Sequence, residues 1–307
     1  MSDASKRILL TGGSGFLGRP LAEAWLRRGY GVTLLSRRPE QTALMFGGQA
    51  HIVGSVRDLA GAPPFDAVVN LAGAPIFGGL WTEKRKHLLR ASRIDLTREL
   101  VDFFAAAPVK PSVWLNGSAV GVYGGQGEAW LEEGSAVGTG FSSRLCLDWE
   151  KVALGAQDWG ARVCLLRTGV VLDNGGGMLG RLLPVYRLGL GGRLGDGRQY
   201  LAWIHRQDWL AAADLLLHAA TFSGPVNLTA PHPVSNAEFN RELALALRRP
   251  AFCHAPAPVL KAMLGEMAEL LLDSQRVSPR RLLDFGFEFN YPRLGAALGR
   301  ILGAPGA

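Results

Sequence analysis

The segment Thr11–Gly18 has the residue types of a phosphate-binding loop. It reads TGGSGFLG, and its glycines Gly12, Gly15 and Gly18 are spaced three residues apart. Between a strand and a helix, such glycines permit a tight turn, close approach of the backbone to a pyrophosphate, and packing of the helix on the strand. The N–H groups at the start of the helix would face the anion. The predicted cofactor contacts of this loop are Gly12, Gly15, Phe16, Leu17 and Gly18.

The tripeptide Ser36-Arg37-Arg38 indicates which dinucleotide the loop would bind. Sites for NAD often place Asp or Glu at the end of the second strand, where the carboxylate accepts from the ribose 2′-hydroxyl. This chain has Ser36, Arg37 and Arg38 there, and arginine pairs with a 2′-phosphate and stacks on adenine. The sequence therefore predicts NADP(H) as the cofactor. The alternative is a pair of solvated surface arginines.

The elements that must position these residues alternate along the first part of the chain. Short apolar runs predict strands at Arg7–Thr11, Gly31–Ser36, His51–Val53, Ala67–Leu71, Ser112–Asn116 and Arg162–Leu166. Longer amphipathic segments predict helices at Gly15–Arg28, Thr82–Ala107 and Phe141–Asp158. This alternation is typical of an α/β fold with a doubly wound parallel sheet. Such sheets bind ligands beyond the carboxyl ends of their strands.

The second half of the chain follows a different pattern. Gly189–Gly197 holds five glycines in nine residues, which predicts a loop. The predicted helices beyond it are Arg206–Ala220, Ser235–Arg248 and Pro258–Leu272. We therefore expect a Rossmann NADP(H)-binding domain over residues 1–172 and a smaller, mainly helical substrate lobe over residues 173–307. Gly224–Ala230 is a candidate strand that would complete the sheet.

Composition narrows the class of protein. The 307 residues are 48% hydrophobic, enough for a sizeable core, and no run of 18 apolar residues predicts a membrane span. The start MSDASKR lacks the features of a signal peptide, so we expect a cytoplasmic protein. Three dispersed cysteines and six unclustered histidines give no indication of a disulfide framework or a metal site. The net charge of +7 comes from dispersed arginines, which favours anionic small molecules over nucleic acid.

Further motifs carry a resemblance to a known family. The chain resembles the extended short-chain dehydrogenases/reductases. Within them it is similar to the atypical "epimerase family" branch of NAD-dependent epimerase/dehydratase-like proteins, described as nucleoside-diphosphate-sugar epimerases with an extra C-terminal segment. The resemblance covers nearly the whole chain. Besides Thr11–Gly18, the matching segments are Asn70–Ile76, Ser92–Thr97, Gly117–Gly124, Trp149–Ala153, Leu166–Leu172, Gly189–Asp208, Gly224–Pro231 and Leu270–Phe287.

The resemblance assigns roles to residues at the ends of the predicted strands. It implies that Ser118 follows the fifth strand and faces the reacting centre. It also implies that Trp203–Asp208 helps to close the substrate cleft, with Trp203 and His205 as candidate substrate residues. A homodimer is a further expectation from the superfamily. The cofactor contacts that the resemblance adds are Asn70, Leu71, Ala72 and Gly73 after the fourth strand, and Thr168, Gly169 and Val170 beside the nicotinamide.

The catalytic pattern of the superfamily is missing here. Active members use a Tyr-x-x-x-Lys pair, in which the tyrosine is the general acid/base and the lysine lowers its pKa. Counting back from Glu150 places these two positions at Ser142 and Cys146. Tyr123, five residues after Ser118, is then a candidate proton donor. Arg93 stands where the superfamily has asparagine, and it could pair with a phosphate, a substrate carboxylate or a helix carbonyl, or be solvated.

Two classes of function follow from these residues. The leading hypothesis is an NADP(H)-dependent oxidoreductase or epimerase-like enzyme that acts on a nucleotide-sugar or another small carbonyl compound. In it, Ser118 orients the substrate oxygen, and Tyr123 or water supplies the proton. The alternative is a catalytically impaired NADP(H) sensor or scaffold. A serine hydrolase is disfavoured, because the GxSxG run Gly117–Gly121 is followed by a turn rather than a helix. A nucleic-acid binder is a distant third.

Overall fold

The computed structural model describes residues 6–303. Residues 1–5, part of the N-terminal stretch from which the cytoplasmic expectation was drawn, lie outside this range. The strands are β1 (Arg7–Thr11), β2 (Gly31–Leu35), β3 (His51–Val53), β4 (Ala67–Asn70), β5 (Val113–Ala119), β6 (Trp130–Leu131), β7 (Arg162–Thr168), β8 (Val170–Leu172), β9 (Gly192–Leu194), β10 (Tyr200–Leu201), β11 (Trp203–His205), β12 (Gly224–Leu228), β13 (Val234–Ser235), β14 (Cys253–Ala255) and β15 (Arg276–Val277). The α-helices are α1 (Gly18–Arg27), α2 (Pro39–Phe46), α3 (Glu83–Arg90), α4 (Leu96–Ala106), α5 (Phe141–Leu154), α6 (Gly177–Arg187), α7 (Arg206–His218), α8 (Asn236–Leu247), α9 (Ala257–Leu264), α10 (Glu269–Leu272), α11 (Arg280–Asp284) and α12 (Leu294–Leu302).

The main sheet has seven parallel strands in the order β12-β7-β5-β4-β1-β2-β3. The chain runs outward from β1 to β3 on one side and from β4 to β12 on the other. The direction of winding therefore reverses between β1 and β4. In such sheets this switch point opens a crevice at the carboxyl ends of the two strands. The predicted doubly wound α/β fold is confirmed.

Both faces of the sheet are covered, because the central strands are apolar on both sides. Ile8 and Leu10 of β1 point into a cluster with Trp25 of α1 and Trp209 of α7. Leu9 points the other way, into a cluster that includes residues of α4 and α5. The two layers hold the strand ends in fixed positions, so the residues that follow β1, β2, β4, β5 and β7 form one edge.

Two central strands extend beyond the predicted ends. β5 continues to Ala119 and β7 to Thr168, and the register pairs Ser118 with Arg167. The sequence prediction stopped earlier because small residues and a charge follow the apolar runs. Pairing between the strands keeps these polar residues in the sheet, where Ser118 and Arg167 are both buried. The extension brings them to the edge that carries the crevice.

The predicted helix Thr82–Ala107 is interrupted. α3 ends at Arg90, a π-helical turn covers Ala91–Asp95, and α4 follows from Leu96. Such turns insert an extra residue into a helix and are frequent at functional sites. Ser92 in this turn binds the backbone after β4, because its hydroxyl accepts from the N–H of Ala74 at 2.9 Å. The next residue is Arg93, which the turn directs toward the same loop.

The second half of the chain contributes to both parts of the molecule. α7 packs on the main sheet and β12 pairs with β7. α6, α8 and α12 form a separate cluster around Leu183, Phe239 and Leu298. We keep the division near residue 172 as a proposal, with α7 and β12 assigned to the sheet-bearing part. Within residues 6–303, no helix is long and apolar enough to cross a membrane.

Candidate active site

The glycine loop after β1 has the shape that a pyrophosphate requires. Gly12 has a φ of +70°, and a Cβ there would lie 2.8 Å from the carbonyl oxygen of Leu71. A Cβ on Gly18 would collide with the carbonyl of Gly12. α1 begins at Gly18 with no side-chain cap and no acidic residue in its first turn. In this turn the N–H of Arg19 donates to the carbonyl of Gly15 at 3.0 Å and Pro20 has no N–H, so among residues 18–20 the N–H of Gly18 is the one left for an anion beside the exposed backbone of Gly15.

Phe16 connects this loop to the start of α6. Its ring lies where a Cβ on Gly176 or Gly177 would touch it, at 3.0 and 3.2 Å. The guanidinium of Arg206 lies over the same ring, 5.2 Å from its centre. Leu17 is half-buried at the N-cap of α1. These contacts with the start of α6 and with Arg206 hold the glycine loop in place.

The two arginines after β2 are exposed beyond the sheet edge. Ser36 fixes the turn that carries them: its hydroxyl bonds with that of Thr42 (2.7 Å) and accepts from the N–H of Arg38 (3.2 Å). Neither Arg37 nor Arg38 forms an ion pair with any residue that the structure describes. Both side chains can therefore bind a phosphate without giving up an existing partner.

Asn70 at the end of β4 connects the strands that border the crevice. Its Oδ1 accepts from the hydroxyl of Thr11 (2.7 Å), and its Nδ2 donates to Thr97 Oγ1 (2.7 Å) and Asn116 Oδ1 (2.8 Å). The side chain is buried and fully used in joining β1, β4 and β5. Asn70 therefore acts as a positioning residue rather than by direct contact. Leu71, Ala72 and Gly73 follow it at the rim, where they are half-buried or exposed.

The residues after β7 form another wall. Thr168 Oγ1 accepts from the indole N–H of Trp209 at 3.1 Å, which fixes its side chain. A Cβ on Gly169 would lie 2.8 Å from the carbonyl of Ala202, so this position has no room for a side chain. Thr168, Gly169 and Val170 are all half-buried at the carboxyl end of the sheet. Their location is compatible with the predicted contact with the cofactor.

Ser118 belongs to a buried ion-pair network. Its hydroxyl donates to Glu150 Oε1 at 2.6 Å, and Arg167 binds both oxygens of Glu150 at 2.9 Å. Burial lowers the pKa of Arg167, but the hydrogen bonds and charge of Glu150 outweigh it, so its net pKa lies above the usual value. The proton of Ser118 therefore points at a carboxylate that also binds an arginine through both of its oxygens. Its oxygen lone pairs remain available as acceptors.

Tyr123 belongs to the same network and not to the cleft. Its side chain has no exposed surface, and its hydroxyl donates to Asn227 Oδ1 (2.7 Å) and accepts from Arg167 Nη1 (3.1 Å). Burial raises the pKa of the phenol, partly opposed by Arg167. A hydroxyl held on both sides in the interior has no path to a substrate. The structure therefore argues against the predicted role of Tyr123 as a proton donor.

Trp203 and His205 also have other roles than the predicted contact with substrate. Trp203 has no exposed surface, and its indole N–H donates to the carbonyl of His232 at 2.9 Å. His205 is buried at the N-cap of α7, where its Nδ1 accepts from the N–H of Gln207, and its ring lies 4.0 Å from that of Tyr291. The family resemblance had placed both residues at the substrate cleft. The structure packs both inward, so we leave them out of the proposed substrate site.

The positions of the missing tyrosine and lysine lie on α5, close to the polar network. Ser142 is buried, and its backbone N–H donates to Glu269 Oε1 at 2.9 Å. Cys146 neighbours Ser118, and burial raises the pKa of its thiol to about 11. A thiol with that pKa is neutral near pH 7. Neither side chain can replace a phenol activated by a cation.

Arg93, on the π-helical turn Ala91–Asp95, places a positively charged side chain beside Trp149 of α5. Its guanidinium Cζ lies 5.3 Å from the ring centre of Trp149, and Nη1 donates to the carbonyl of Leu89 at 3.3 Å. A Cβ on Gly73 would meet Cζ at 2.7 Å, so the glycine is what allows the arginine to lie here. Burial lowers the pKa of Arg93, and the charge of Arg85 lowers it further. Arg93 is half-buried and bonded to the helix carbonyl of Leu89, so the structure shows the helix-carbonyl alternative and not a solvated side chain.

The C-terminal segment reaches the same place, which sequence reasoning missed. Glu269 binds the first turn of α5 through Ser142, Met267 packs in the cluster with Trp81 and Trp149, and Glu266 pairs with Lys86. No residue spacing indicated these contacts, because more than 100 positions separate the partners Glu269 and Ser142. The C-terminal segment therefore covers the start of α5 beside the candidate site.

A parallel doubly wound sheet with a glycine cradle at its switch point defines a nicotinamide-dinucleotide-binding protein. Residues 8–228 match the model of the NAD dependent epimerase/dehydratase family. The chain belongs to that family, as the sequence motifs predicted. Residues 255–301 match a separate domain of unknown function, DUF1731, and this range includes the segment that covers α5.

Several known proteins are similar along the whole chain. The epimerase family protein Mb2239 of Mycobacterium bovis is 39% identical over 304 residues, which cover 99% of this chain and 100% of the relative. A crystal structure of the human epimerase family protein SDR39U1 (isoform 2) with NADPH has a TM-score of 0.88 and 36% identity, covering 97% of this chain and 99% of the human one. The nucleoside-diphosphate sugar epimerase from Corynebacterium glutamicum has a TM-score of 0.77 and 30% identity, covering 98% of this chain but 59% of its own.

Proposed function

We propose that this protein is an NADP(H)-dependent oxidoreductase or epimerase-like enzyme that acts on a small polar substrate. The observation that carries the choice of NADP(H) is the pair Arg37–Arg38, exposed after β2 and without an ion-pair partner in the described chain. The human relative solved with NADPH supports the same cofactor.

The residues that would hold the cofactor surround the crevice between β1 and β4. The glycine loop would receive the pyrophosphate, Arg37 and Arg38 the 2′-phosphate, and the rim residues Leu71–Gly73 the ribose side. Thr168–Val170 would lie by the nicotinamide. When bound, NADPH supplies a hydride for the reduction of a carbonyl group. The loop fits such a group because the backbone of Gly15 is exposed, while the lack of side chains at Gly12 and Gly18 lets the loop pack against the carbonyls of Leu71 and Gly12.

The polar residues nearest to α5 would orient the substrate oxygen. Ser118 donates its own proton to Glu150, so its oxygen can accept a hydrogen bond from a substrate hydroxyl. Water is the proposed source of the proton, because the hydroxyl of Tyr123 is bonded to Asn227 and Arg167. Arg93 would supply the positive charge beside α5, since Cys146 stands where the superfamily has a lysine and a thiol cannot carry a positive charge.

The test combines binding and turnover. Purified protein is titrated with NADPH and NADH, and carbonyl compounds and nucleotide-sugars are then screened for oxidation of NADPH by absorbance and for epimerised sugars by mass spectrometry. We expect NADPH to bind more tightly than NADH and at least one compound to react. Folded, NADPH-bound protein that turns over none of them would contradict an enzymatic function.

A second candidate function is a catalytically impaired NADP(H) sensor or scaffold. The burial of Tyr123 and the presence of Ser142 and Cys146 at the catalytic positions favour it. It predicts NADPH binding without turnover and a protein partner whose capture depends on the redox state of the cofactor. A pull-down with NADPH, with NADP and without either tests this, and the same recovered proteins in all three would contradict it. The predicted homodimer stays a prediction.

A further inference from the structure

We propose that Arg93 binds an oxyanion of the substrate, so that the substrate is a small carbonyl or hydroxy compound that carries a carboxylate or a phosphate group. This inference rests on the proposed function and names the substrate class of that site. The proposal follows from the charge around Arg93, from the way its guanidinium is held, and from its place at the sheet edge.

The charge of Arg93 has no counterpart in the described chain. No carboxylate of residues 6–303 forms an ion pair with it. The titratable groups that influence it are Cys146, which is neutral, and Arg85, which has the same charge. Taking a cation out of water without an anion is unfavourable, and buried charges are normally paired. An anionic ligand would supply the missing partner.

The guanidinium packs against two neighbours. The Cα of Gly73 lies against one side, where an added Cβ would be 2.7 Å from Cζ, 2.9 Å from Nη2 and 3.1 Å from Nε. Trp149 lies 5.3 Å away by its ring centre. Nη1 is anchored on the carbonyl of Leu89. A guanidinium has five N–H donors, and contacts with its flat side leave the N–H groups of its edge available for bidentate binding of a carboxylate or phosphate.

Arg85 extends the positive corner along the same loop. It donates through Nη2 to the carbonyl of Pro75, two residues after Gly73. Its Nε is buried and has no hydrogen-bond partner. Two arginines thus converge on the loop that follows β4. Because neither arginine has a carboxylate partner in the described chain, the pair is suited to an anion with two or more oxygens.

The location separates this anion from the phosphates of the cofactor. The pyrophosphate is assigned to the loop after β1 and the 2′-phosphate to Arg37–Arg38 after β2. Arg93 lies on the other side, where its guanidinium contacts Trp149, and the same indole packs against Gly117, the residue before Ser118. An oxyanion on Arg93 would therefore lie at the end of β5 that carries Ser118, where the substrate oxygen is proposed to bind.

The first experiment measures anion binding directly. NADPH-loaded protein is titrated with inorganic phosphate and, separately, with acetate at constant ionic strength, using calorimetry and tryptophan fluorescence. We expect wild-type protein to bind one of the two anions. Arg93→Gln should weaken that binding by about 10- to 100-fold, since charge-assisted hydrogen bonds are lost, and Arg93→Lys should retain part of it. Arg90→Gln, one turn earlier and paired with Asp148 on the surface, is the matched control and should bind like wild type.

The second experiment distinguishes the two oxyanions in turnover. NADPH oxidation is followed with glyoxylate, glycolaldehyde phosphate and uncharged glycolaldehyde. We expect a charged aldehyde to have the higher kcat/KM, and Arg93→Gln to remove that preference while leaving NADPH affinity and circular dichroism unchanged. A preference for glyoxylate or for glycolaldehyde phosphate would identify a carboxylate or a phosphate as the natural group.

Three outcomes would overturn the proposal. They are a wild-type protein that binds neither anion, an Arg93→Gln protein that binds them equally well, and an Arg93→Gln protein whose main loss is in NADPH affinity. Failure of the proposed function would look different. In that case NADPH-loaded wild-type protein binds phosphate or acetate through Arg93 but turns over none of the aldehydes, and the anion site stands by itself.

Discussion

Individual residues acquire their roles here from what lies beside them. Arg37 and Arg167 are the same residue type, but the first is exposed without an ion-pair partner in the described chain and the second is buried on Glu150. Tyr123 and His205 have side chains that often act in catalysis, and both are used in internal hydrogen bonds. Residue type alone therefore does not distinguish a side chain that is exposed to a ligand from one that is already bonded inside the protein.

The selectivity for NADPH is the first prediction at this scale. Replacing Arg37 and Arg38 with alanine should weaken NADPH binding by about 1.5–3 kcal/mol, because charge-assisted hydrogen bonds to the 2′-phosphate are lost. NADH binding should change little, since NADH has no 2′-phosphate. Calorimetric titration of both dinucleotides measures this. An equal loss for the two would show that the pair does not bind that phosphate.

The second prediction concerns His205 and pH. Burial lowers its pKa in the folded protein, opposed in part by Asp208 and Asp173, and the cap to Gln207 requires an unprotonated Nδ1. The unfolded state therefore binds the proton more readily, so this contribution to stability is complete above about pH 6.5 and is lost as the pH falls through the folded pKa. Urea unfolding between pH 7.5 and 5 should show a shallower pH dependence for His205→Asn than for wild type.

A matched variant controls for the general loss of stability in acid. His87→Asn changes an exposed histidine on α3 and should keep the pH dependence of the wild-type protein. If His205→Asn and wild type had the same slope, the protonation of His205 would not be linked to folding.

At the scale of elements, the site depends on interruptions of regular structure. The π-helical turn Ala91–Asp95 separates α3 from α4 and carries both Ser92, which holds the loop after β4, and Arg93. The C-terminal segment before and within α10 covers the start of α5. Helical periodicity predicts neither feature, because a single-residue insertion barely disturbs the apolar pattern and the segment is distant in sequence.

The cap that Glu269 provides gives the prediction at this scale. Its carboxylate accepts from the N–H of Ser142 in the first turn of α5, where a negative charge also interacts favourably with the helix dipole. Glu269→Ala should lower the free energy of unfolding by about 1 kcal/mol. Glu266→Ala, which removes a surface ion pair with Lys86 from the same segment, should have a smaller effect. Denaturant unfolding of both variants measures the two losses in the free energy of unfolding. A larger loss for Glu266→Ala than for Glu269→Ala would contradict the capping role of Glu269.

At the scale of the whole molecule, the cofactor would connect distant parts of the chain. The proposed contacts come from the loops after β1, β2, β4 and β7, and Phe16 of the first loop packs on the start of α6. A ligand that binds only the folded state stabilises all of these parts together.

NADPH should therefore raise the stability of the entire fold. At about 100 times its dissociation constant, the expected gain in the free energy of unfolding is about 2.7 kcal/mol. Chemical unfolding with and without NADPH measures it, and the double alanine variant of Arg37 and Arg38 at the same NADPH concentration should gain much less. A midpoint that NADPH leaves unchanged in the wild-type protein would contradict binding to the folded state.

Much of the fold could be predicted from the sequence, but less of the site. The strands β1 and β3 were predicted with their observed limits, because apolar runs are local properties, whereas the helix predicted from Gly15 begins at Gly18. The ends of β5 and β7 were placed too early, since Ser118 and Arg167 are polar and only pairing with Glu150 makes their burial favourable. Glu269 was missed, because its contact with α5 depends on tertiary packing.

The sequence by itself determined the class of fold, the phosphate cradle, the choice of NADP(H) as the predicted cofactor, and the lack of a tyrosine–lysine pair. These follow from residue types at short spacing, whose effect on the backbone does not depend on distant partners. Only the tertiary structure decided which polar residues are used up internally. Tyr123 and His205 lie in the interior, whereas Arg93 is partly buried and forms no ion pair with a carboxylate of residues 6–303. Pairing of charges is a property of residues far apart in sequence, such as Tyr123 and Asn227, which only folding brings together.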